Sequence, residues 1–403
     1  MRPLDGLRVL DFTHVLAGPF ATRILADMGA DVVKVNSEAR TAGGNATGSP
    51  YYLMWNRNKR ALALDMSKQE SRPICRRLCE TADVVIDNFS VGVLDRWGVG
   101  YDAMRVANPG VIYVQMSGMG EGGPWSKFVT YAPTIHALAG LTHLTGVPGR
   151  EDIGIGFSYN DHQAGLHGAV AILAALEARR RTGRGQRVDL SQYEVGVNFA
   201  GPSLLDYFAN ARTARPTGNH LPYDAVAPHG CYPCAGAASD AVVDERWAAI
   251  ACMDDAQWEA LRTVMDDPQW SRDPSLATAA GRLDAAEELD RNIAQWTVLL
   301  EATDVMHRCQ AAGVPAGVVQ NGVDLAERDP QLAESGFLRE FAEPHPTFGT
   351  TYMDRLPLYF ENTPCDEYQR VHEVGEDNAA VLRQWLDMSE DEVRQGEEEG
   401  YLR

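Results

Sequence analysis

Arg8-Val9-Leu10-Asp11-Phe12 is a short apolar run, residues 19–28 follow with helical spacing and Pro19 in the first turn, Gly29-Ala30 stops them, and Asp31-Val32-Val33-Lys34-Val35 is a second apolar run. Proline in a first turn and glycine past a last turn mark the ends of a helix, and short β-branched runs bounded by turn residues read as strands. Residues 8–35 are therefore a strand–helix–strand unit. The pattern continues with a helix over 67–82, a strand over 83–87, short helices over 91–97 and 101–107, and a strand over 111–115. Farther on, an alanine- and leucine-rich helix over 169–181 ends at Gly183, before a strand Arg187-Val188-Asp189-Leu190. Strands alternating with helices predict an α/β class with a mainly parallel sheet. In such sheets ligands sit beyond the carboxyl ends of the strands.

At 403 residues, with 45% of them hydrophobic, the chain exceeds one ordinary domain and can fill a large core. Residues 201–235 are rich in Pro, Gly, Asn and Tyr and read as a linker; after them the chain is mostly helical, with Trp247, Trp258, Trp270 and Trp296 as expected core anchors. The acid-dense segment 389–399 reads as a solvated helix. Thirty-six Lys+Arg against 56 Asp+Glu give a net charge of −20, which argues against nucleic-acid partners and anionic membrane surfaces. With no apolar run long enough to span a bilayer and no hydrophobic signal region, the expectation is a cytoplasmic protein. The seven scattered cysteines read as reduced thiols. Cys231 and Cys234, with His229 nearby, lack a second ligand pair, so no metal is expected.

Groups able to carry chemistry gather at strand ends. Thr13-His14-Val15-Leu16-Ala17-Gly18-Pro19 presents a helix start to an anion, without a dinucleotide fingerprint. Arg57, Lys59 and Arg60, in Asn56-Arg57-Asn58-Lys59-Arg60, are three cations within four residues of an acidic protein and suit a polyphosphate. Asn88-Phe89, with Arg96 beyond, and the glycine-rich Ser117-Gly118-Met119-Gly120-Glu121-Gly122-Gly123-Pro124, readable as a lid, complete the set. Taken singly, His14 reads as a satisfied loop histidine, Phe89 as core and Arg96 as a surface cation. Asp161, in Ser158-Tyr159-Asn160-Asp161-His162-Gln163-Ala164-Gly165, stands at the mouth of the long apolar helix. It reads either as a structural cap or as a nucleophile kept ionised by the helix-end amides and dipole.

Together, Leu10-Asp11-Phe12-Thr13-His14-Val15-Leu16-Ala17-Gly18-Pro19, Leu25-Ala26-Asp27-Met28-Gly29-Ala30-Asp31-Val32-Val33-Lys34-Val35, Asn58-Lys59-Arg60, Asn88-Phe89, Asp161-His162-Gln163-Ala164-Gly165-Leu166-His167 and Arg181-Thr182-Gly183-Arg184-Gly185-Gln186 resemble the class III CoA-transferases, the group that includes formyl-CoA transferase, carnitine CoA-transferase and the α-methylacyl-CoA racemases. The resemblance spans nearly the whole chain. It implies a large Rossmann-like domain over 1–200, a linker over 201–235, a smaller α/β domain over 236–325, and a return segment over 326–403 packing on the large domain. It also implies two subunits interlocked through long linkers.

By the same resemblance Asp161 is the nucleophile, and CoA lies against His14, Val15, Leu16, Ala17, Asn58, Lys59, Arg60, Leu64, Asn88, Phe89 and Arg96. CoA thioester is then a substrate, with no permanently bound cofactor. Two departures stand out. Lys34-Val35-Asn36-Ser37, with Arg40 farther on, replaces the family's Lys-Val-Glu and its following Arg. Thr130-Tyr131-Ala132-Pro133-Thr134 lacks the His-Asp pair of the racemase branch, removing one of two bases. Residues 129–140 and 154–161 are similar to the catalytic subunit of succinyl-CoA:benzylsuccinate CoA-transferases of anaerobic toluene degradation, which works with a homologous subunit. That likeness implies succinyl-CoA as donor, an aryl dicarboxylate as acceptor, and Tyr131, Phe157 and Tyr159 as pocket residues, though core packing explains these three as well. A homodimer and a heteromer are both compatible with it. The competing readings are an α-methylacyl-CoA racemase and a non-catalytic CoA-binding subunit.

Overall fold

The computed structural model describes residues 1–41, 46–221, 226–236 and 246–403; the Arg40 side chain and the parts of the expected linker and second domain at 222–225 and 237–245 lie outside the described residues. Two compact units result, one of Met1–Leu141, Gly154–Pro202 and Leu332–Arg403, the other of Thr142–Ile153 and Ser203–Gln331.

The first unit is built on six strands, β1 Arg8–Asp11, β2 Asp31–Asn36, β3 Arg60–Ala63, β4 Val84–Asp87, β5 Ile112–Gln115 and β6 Gln186–Asp189. They lie in the order β3-β2-β1-β4-β5-β6, every neighbouring pair parallel. The α/β class expected from the sequence is thus the observed one. In chain order the helices are α1 Ala17–Asp27, α2 Pro50–Trp55, α3 Ser71–Thr81, α4 Val93–Arg96, α5 Tyr101–Ala107, α6 Ala132–Leu138, α7 Leu141–Leu144, α8 Tyr159–Thr182, α9 Gln192–Phe199 and α10 Gly201–Asn210, of which α7 and α10 fall mostly in the second unit. Because strand side chains alternate, each strand feeds two cores. Val9, Val32, Val84 and Ile86 pack with Ala21 and Leu25 of α1 and Ala164 and Ile172 of α8 on one face. Leu10, Val33 and Val85 pack on the other face with Leu78 of α3 and Met104 of α5.

Helix α8 begins at Tyr159, ten residues before the position expected from its apolar run. Two glycines hide the period of that first stretch and also explain it. A Cβ on Gly165 would sit 2.8 Å from the Ala17 carbonyl oxygen, and one on Gly168 would sit 2.9 Å from Met116 Sδ. Close packing on α1, invisible to local pattern, extends the helix.

In the second unit β7 His229–Pro233, β8 Trp247–Ala251 and β9 Ala316–Val318 form an antiparallel sheet, covered by α11 Asp255–Val264, α12 Ala279–Asp284, α13 Ala286–Thr297 and α14 Ala302–Ala311. Trp258 is fully buried at its centre, with Trp270 and Trp296 packed against that core. Trp247, expected as a fourth anchor, is only half-buried, in β8. Part of the stretch read as linker is helix α10, whose Leu204, Leu205, Tyr207 and Phe208 are all exposed.

Residues after 331 rejoin the first unit through α15 Pro330–Ser335, the hairpin β10 Leu338–Glu340 with β11 Tyr352–Asp354, α16 Asn378–Leu386 and α17 Glu390–Glu398. Asp377 Oδ2 accepts from the amide of Ala61 at 2.7 Å and Asn378 Oδ1 from that of Ala63 at 2.9 Å, which satisfies the open edge of β3. The acid-rich helix α17 buries Val393 and Gly396, so it is docked on one face as well as solvated on the other.

Candidate active site

The chain order of the first sheet reverses between β1 and β4, the position where a doubly wound sheet opens a crevice at its carboxyl edge. A cavity of about 420 Å³ lies there. His14 and Val15 reach it from the turn after β1, Asn88, Phe89 and Ser90 from the end of β4, and Gly118 from the loop after β5. The segment 128–132 with Ile135 supplies a further wall, and Asp161 and Gln192 stand on α8 and α9.

Hydrogen bonds fix the two strand-end turns to each other. The His14 amide donates to Asn88 Oδ1 at 2.7 Å, and Asn88 Nδ2 donates back to the His14 carbonyl at 2.8 Å. The rings of His14 and Phe89 lie 5.1 Å apart. Val15 has φ of 65°, left-handed backbone that a β-branched residue rarely adopts, and such strain persists only where the surroundings enforce it.

Behind this turn stands Asp11, wholly buried at the end of β1. It accepts from the Thr13 amide at 2.8 Å, the Thr13 hydroxyl at 2.5 Å, the Thr22 hydroxyl at 2.6 Å and Lys59 Nζ at 3.1 Å, with Lys34 Nζ at 3.5 Å. Burial alone would raise its pKa; the two ammonium groups and the hydroxyls outweigh that and hold the carboxyl well below the usual carboxylate range. Lys34 Nζ also donates to the Thr13 carbonyl. At the end of β4, Asp87 accepts from the Phe89 amide at 3.0 Å, and burial, reinforced by Asp95, pushes its carboxyl up to about 7.

Asp161 is not the cap residue of α8. Ser158 holds that position without a side-chain bond, and Asp161 is the third residue of the first turn, facing the cavity. Nor do helix-end amides keep its acidity ordinary: burial dominates, its own backbone N–H opposes only in part, and the carboxyl is pushed up to about 6. Its Oδ2 is buried and makes no hydrogen bond within the protein. The amides of residues 164–166 lie inside the helix, where preceding carbonyls occupy them.

Of the other sequence-derived candidates, His14, Val15, Asn88, Phe89 and Tyr131 line the cavity with Asp161. Leu64 lines a narrow adjoining cleft with Asn36 and Ser37, reached past the shared His14 and Phe89. Leu16 and Ala17 are buried behind the turn. Arg96 is exposed on α4.

Asn58, Lys59 and Arg60 do not form a free cationic cluster. Lys59 is consumed by Asp11, Pro19 O and Asn56 Oδ1; Arg60 pairs with Asp31; Asn58 Nδ2 donates to Asp27 at 2.8 Å. The neighbouring Arg57 pairs with Asp27 and Asp354. A charge in a buried strand or turn must be paired, and that requirement claims these cations before any ligand does. Phe157 stacks on His162 at 4.7 Å and Tyr159 packs on Phe199 at 5.4 Å, and neither lines the cavity. Phe128 and Gln192 do line it and carry no local sequence signal. Among the described residues no group of three or more His, Cys, Asp or Glu could hold a metal, and no helix is long and apolar enough to cross a membrane.

The family model CoA-transferase family III matches residues 4–378. Succinyl-CoA--D-citramalate CoA-transferase of Chloroflexus aurantiacus is 30% identical over 97% of this chain and 96% of its own. Formyl-CoA:oxalate CoA-transferase of Streptomyces avermitilis is 30% identical over 98% of each. A solved CAIB/BAIF family protein from Brucella suis superposes with a TM-score of 0.83 at 29% identity, covering 95% of this chain and 99% of its own.

Proposed function

This chain belongs to CoA-transferase family III, and from that premise we propose that it moves CoA between carboxylic acids with Asp161 as the nucleophile. The observation that carries the reading is the Asp161 carboxyl itself, set in the cavity at the sheet's switch point with one oxygen left without a protein partner. A carboxyl with pKa near 6 is ionised at neutral pH and is a better nucleophile than one of ordinary acidity.

In the proposed sequence the Asp161 carboxylate adds to the donor thioester carbonyl. The C–S bond breaks, CoA leaves as thiolate, and a mixed anhydride remains. The thiolate attacks the aspartyl carbonyl, freeing the donor acid and leaving an aspartyl-CoA thioester. The acceptor carboxylate attacks that thioester and expels the thiolate, giving a second anhydride. CoA thiolate then attacks the acceptor acyl carbon, releasing the new acyl-CoA and free Asp161. Each oxyanion needs a donor, and the loop at Gly118, beside Asp161 in the cavity wall, is the proposed source. CoA is proposed to run over His14, Val15, Asn88 and Phe89 toward the cleft at Leu64, with Arg96 serving a phosphate from the exposed rim.

Succinyl-CoA is the proposed donor, by analogy with the Chloroflexus relative. The acceptor is proposed to be a dicarboxylate with an apolar or aryl substituent such as benzylsuccinate, because Phe128, Val129 and Tyr131 present exposed apolar surface to the cavity. The assembly is proposed to contain a second copy or a homologous chain over the exposed face of α10.

Asp161→Asn should reduce transfer at least ~10³-fold without loss of fold. Wild-type protein incubated with succinyl-CoA and then hydroxylamine should carry a mass change at Asp161, found by peptide mass spectrometry. Normal turnover by Asp161→Asn would overturn the nucleophile. Activity with oxalate or formate and none with aryl dicarboxylates would overturn the acceptor.

A further inference from the structure

We propose that His136 is the positioning residue of Asp161: its imidazole occupies the backbone N–H of Asn160 in the first turn of α8, so that this amide is withheld from the next residue's carboxyl, one oxygen of which stays open to the cavity. His136 is 1% exposed on α6, and its Nε2 accepts from the Asn160 amide at 3.1 Å. Helix starts leave such amides open, and an aspartate in the first turn ordinarily competes for them. Here the cap residue Ser158 makes no side-chain bond, the Asn160 amide is already taken, and Asp161 Oδ2 is buried with no partner.

Asn160 is itself clamped. It is fully buried, its Nδ2 donates to the Gln192 carbonyl at 2.9 Å, and a Cβ on Gly196 of α9 would come within 2.8 Å of its Oδ1. Asn160 and its amide therefore have no room to turn toward Asp161. Burial keeps the His136 imidazole below its ordinary pKa, in the neutral form whose Nε2 lone pair accepts. A hydrogen bond to a carboxylate stabilises the charged form and blunts its nucleophilicity. The imidazole thus withholds one such bond from Asp161 without bringing a charge to the site.

The inference rests on Asp161 being the nucleophile. Its test compares His136→Met, which keeps volume and loses the acceptor, with His136→Gln, whose amide oxygen can accept the same N–H, and with Asp161→Asn. The readouts are kcat, KM for succinyl-CoA, the rate of hydroxylamine-trappable modification at Asp161, and melting temperature. His136→Met should lose ~10-fold or more in kcat and in trapping rate with KM changed less than about twofold, and His136→Gln should recover to within about threefold of wild type. Wild-type kcat in His136→Met, or a folded His136→Gln no better than His136→Met, would overturn the positioning role. If His136→Met fails to fold, His136→Gln alone decides, since a tenfold loss at wild-type melting temperature would also overturn it. Transfer surviving in Asp161→Asn would remove the nucleophile reading instead. Loss in Asp161→Asn with wild-type behaviour in His136→Met would remove only the role of His136.

Discussion

At the scale of single residues, Asp161 and Lys59 illustrate opposite fates of a charge. The Asp161 carboxyl has a folded pKa near 6 against an ordinary 3.8, so the native state disfavours its ionised form. The resulting destabilisation is present above the folded pKa and disappears as pH falls through 6 toward 3.8. At pH 7.5 Asp161→Asn should therefore stabilise the protein by about 1–2 kcal/mol, after discounting for partial solvent screening, and the gain should vanish near pH 4 in parallel melting curves. Activity should move the other way: kcat/KM should fall as pH drops below about 6, because the protonated carboxyl cannot attack. Lys59 instead belongs to the buried Asp11 network. Lys59→Met should cost about 3 kcal/mol in urea denaturation, by leaving Asp11 underpaired. Arg96→Met on the exposed α4 surface should change stability by less than about 0.5 kcal/mol and show itself, under the proposed CoA path, as a raised KM for acyl-CoA. Grouped together by sequence as CoA contacts, these two cations separate by burial.

Among elements, the pairing of α1 with α8 matters most, because the turn that carries His14 and Val15 and the turn that carries Asp161 are the starts of these two helices. Gly165 lets them touch. A valine there would meet the Ala17 carbonyl oxygen and the Phe20 ring at 2.8 Å, backbone on one side and a packed ring on the other. Gly165→Val should destabilise by about 1–3 kcal/mol and reduce kcat/KM at a temperature where the variant is still fully folded, because pushing the helices apart moves His14 and Asp161 relative to each other. Denaturant curves and steady-state rates on one preparation separate the two effects. The start of α8 was illegible in sequence for the same reason: Asn160, Asp161, Gln163, Gly165 and Gly168 dilute the apolar period, and only the partner helix makes it a helix.

For the whole molecule, α10 has four large apolar side chains and no buried residue, which is the basis for placing a second chain on it. Leu205→Asp with Phe208→Asp should lower the mass measured by light scattering to that of a single 44.1 kDa chain; an unchanged assembly mass would count against that covering. The sequence by itself determined the α/β alternation and the parallel sheet, because strand and helix periods are local and their order limits topology. It also determined the family, because motifs such as His14 to Ala17, Asn88-Phe89 and Asp161 recur in order along the chain. Only the tertiary structure decided which of those residues share a cavity. It gave Asn58, Lys59 and Arg60 to internal partners, placed Phe157 on His162, brought Phe128 and Gln192 to the cavity from positions with no local signal, and set His136 against the Asn160 amide. The physical reason is that burial and pairing are properties of neighbours distant in sequence: a lysine is a ligand contact or a structural cation according to whether an aspartate 48 positions away meets it first.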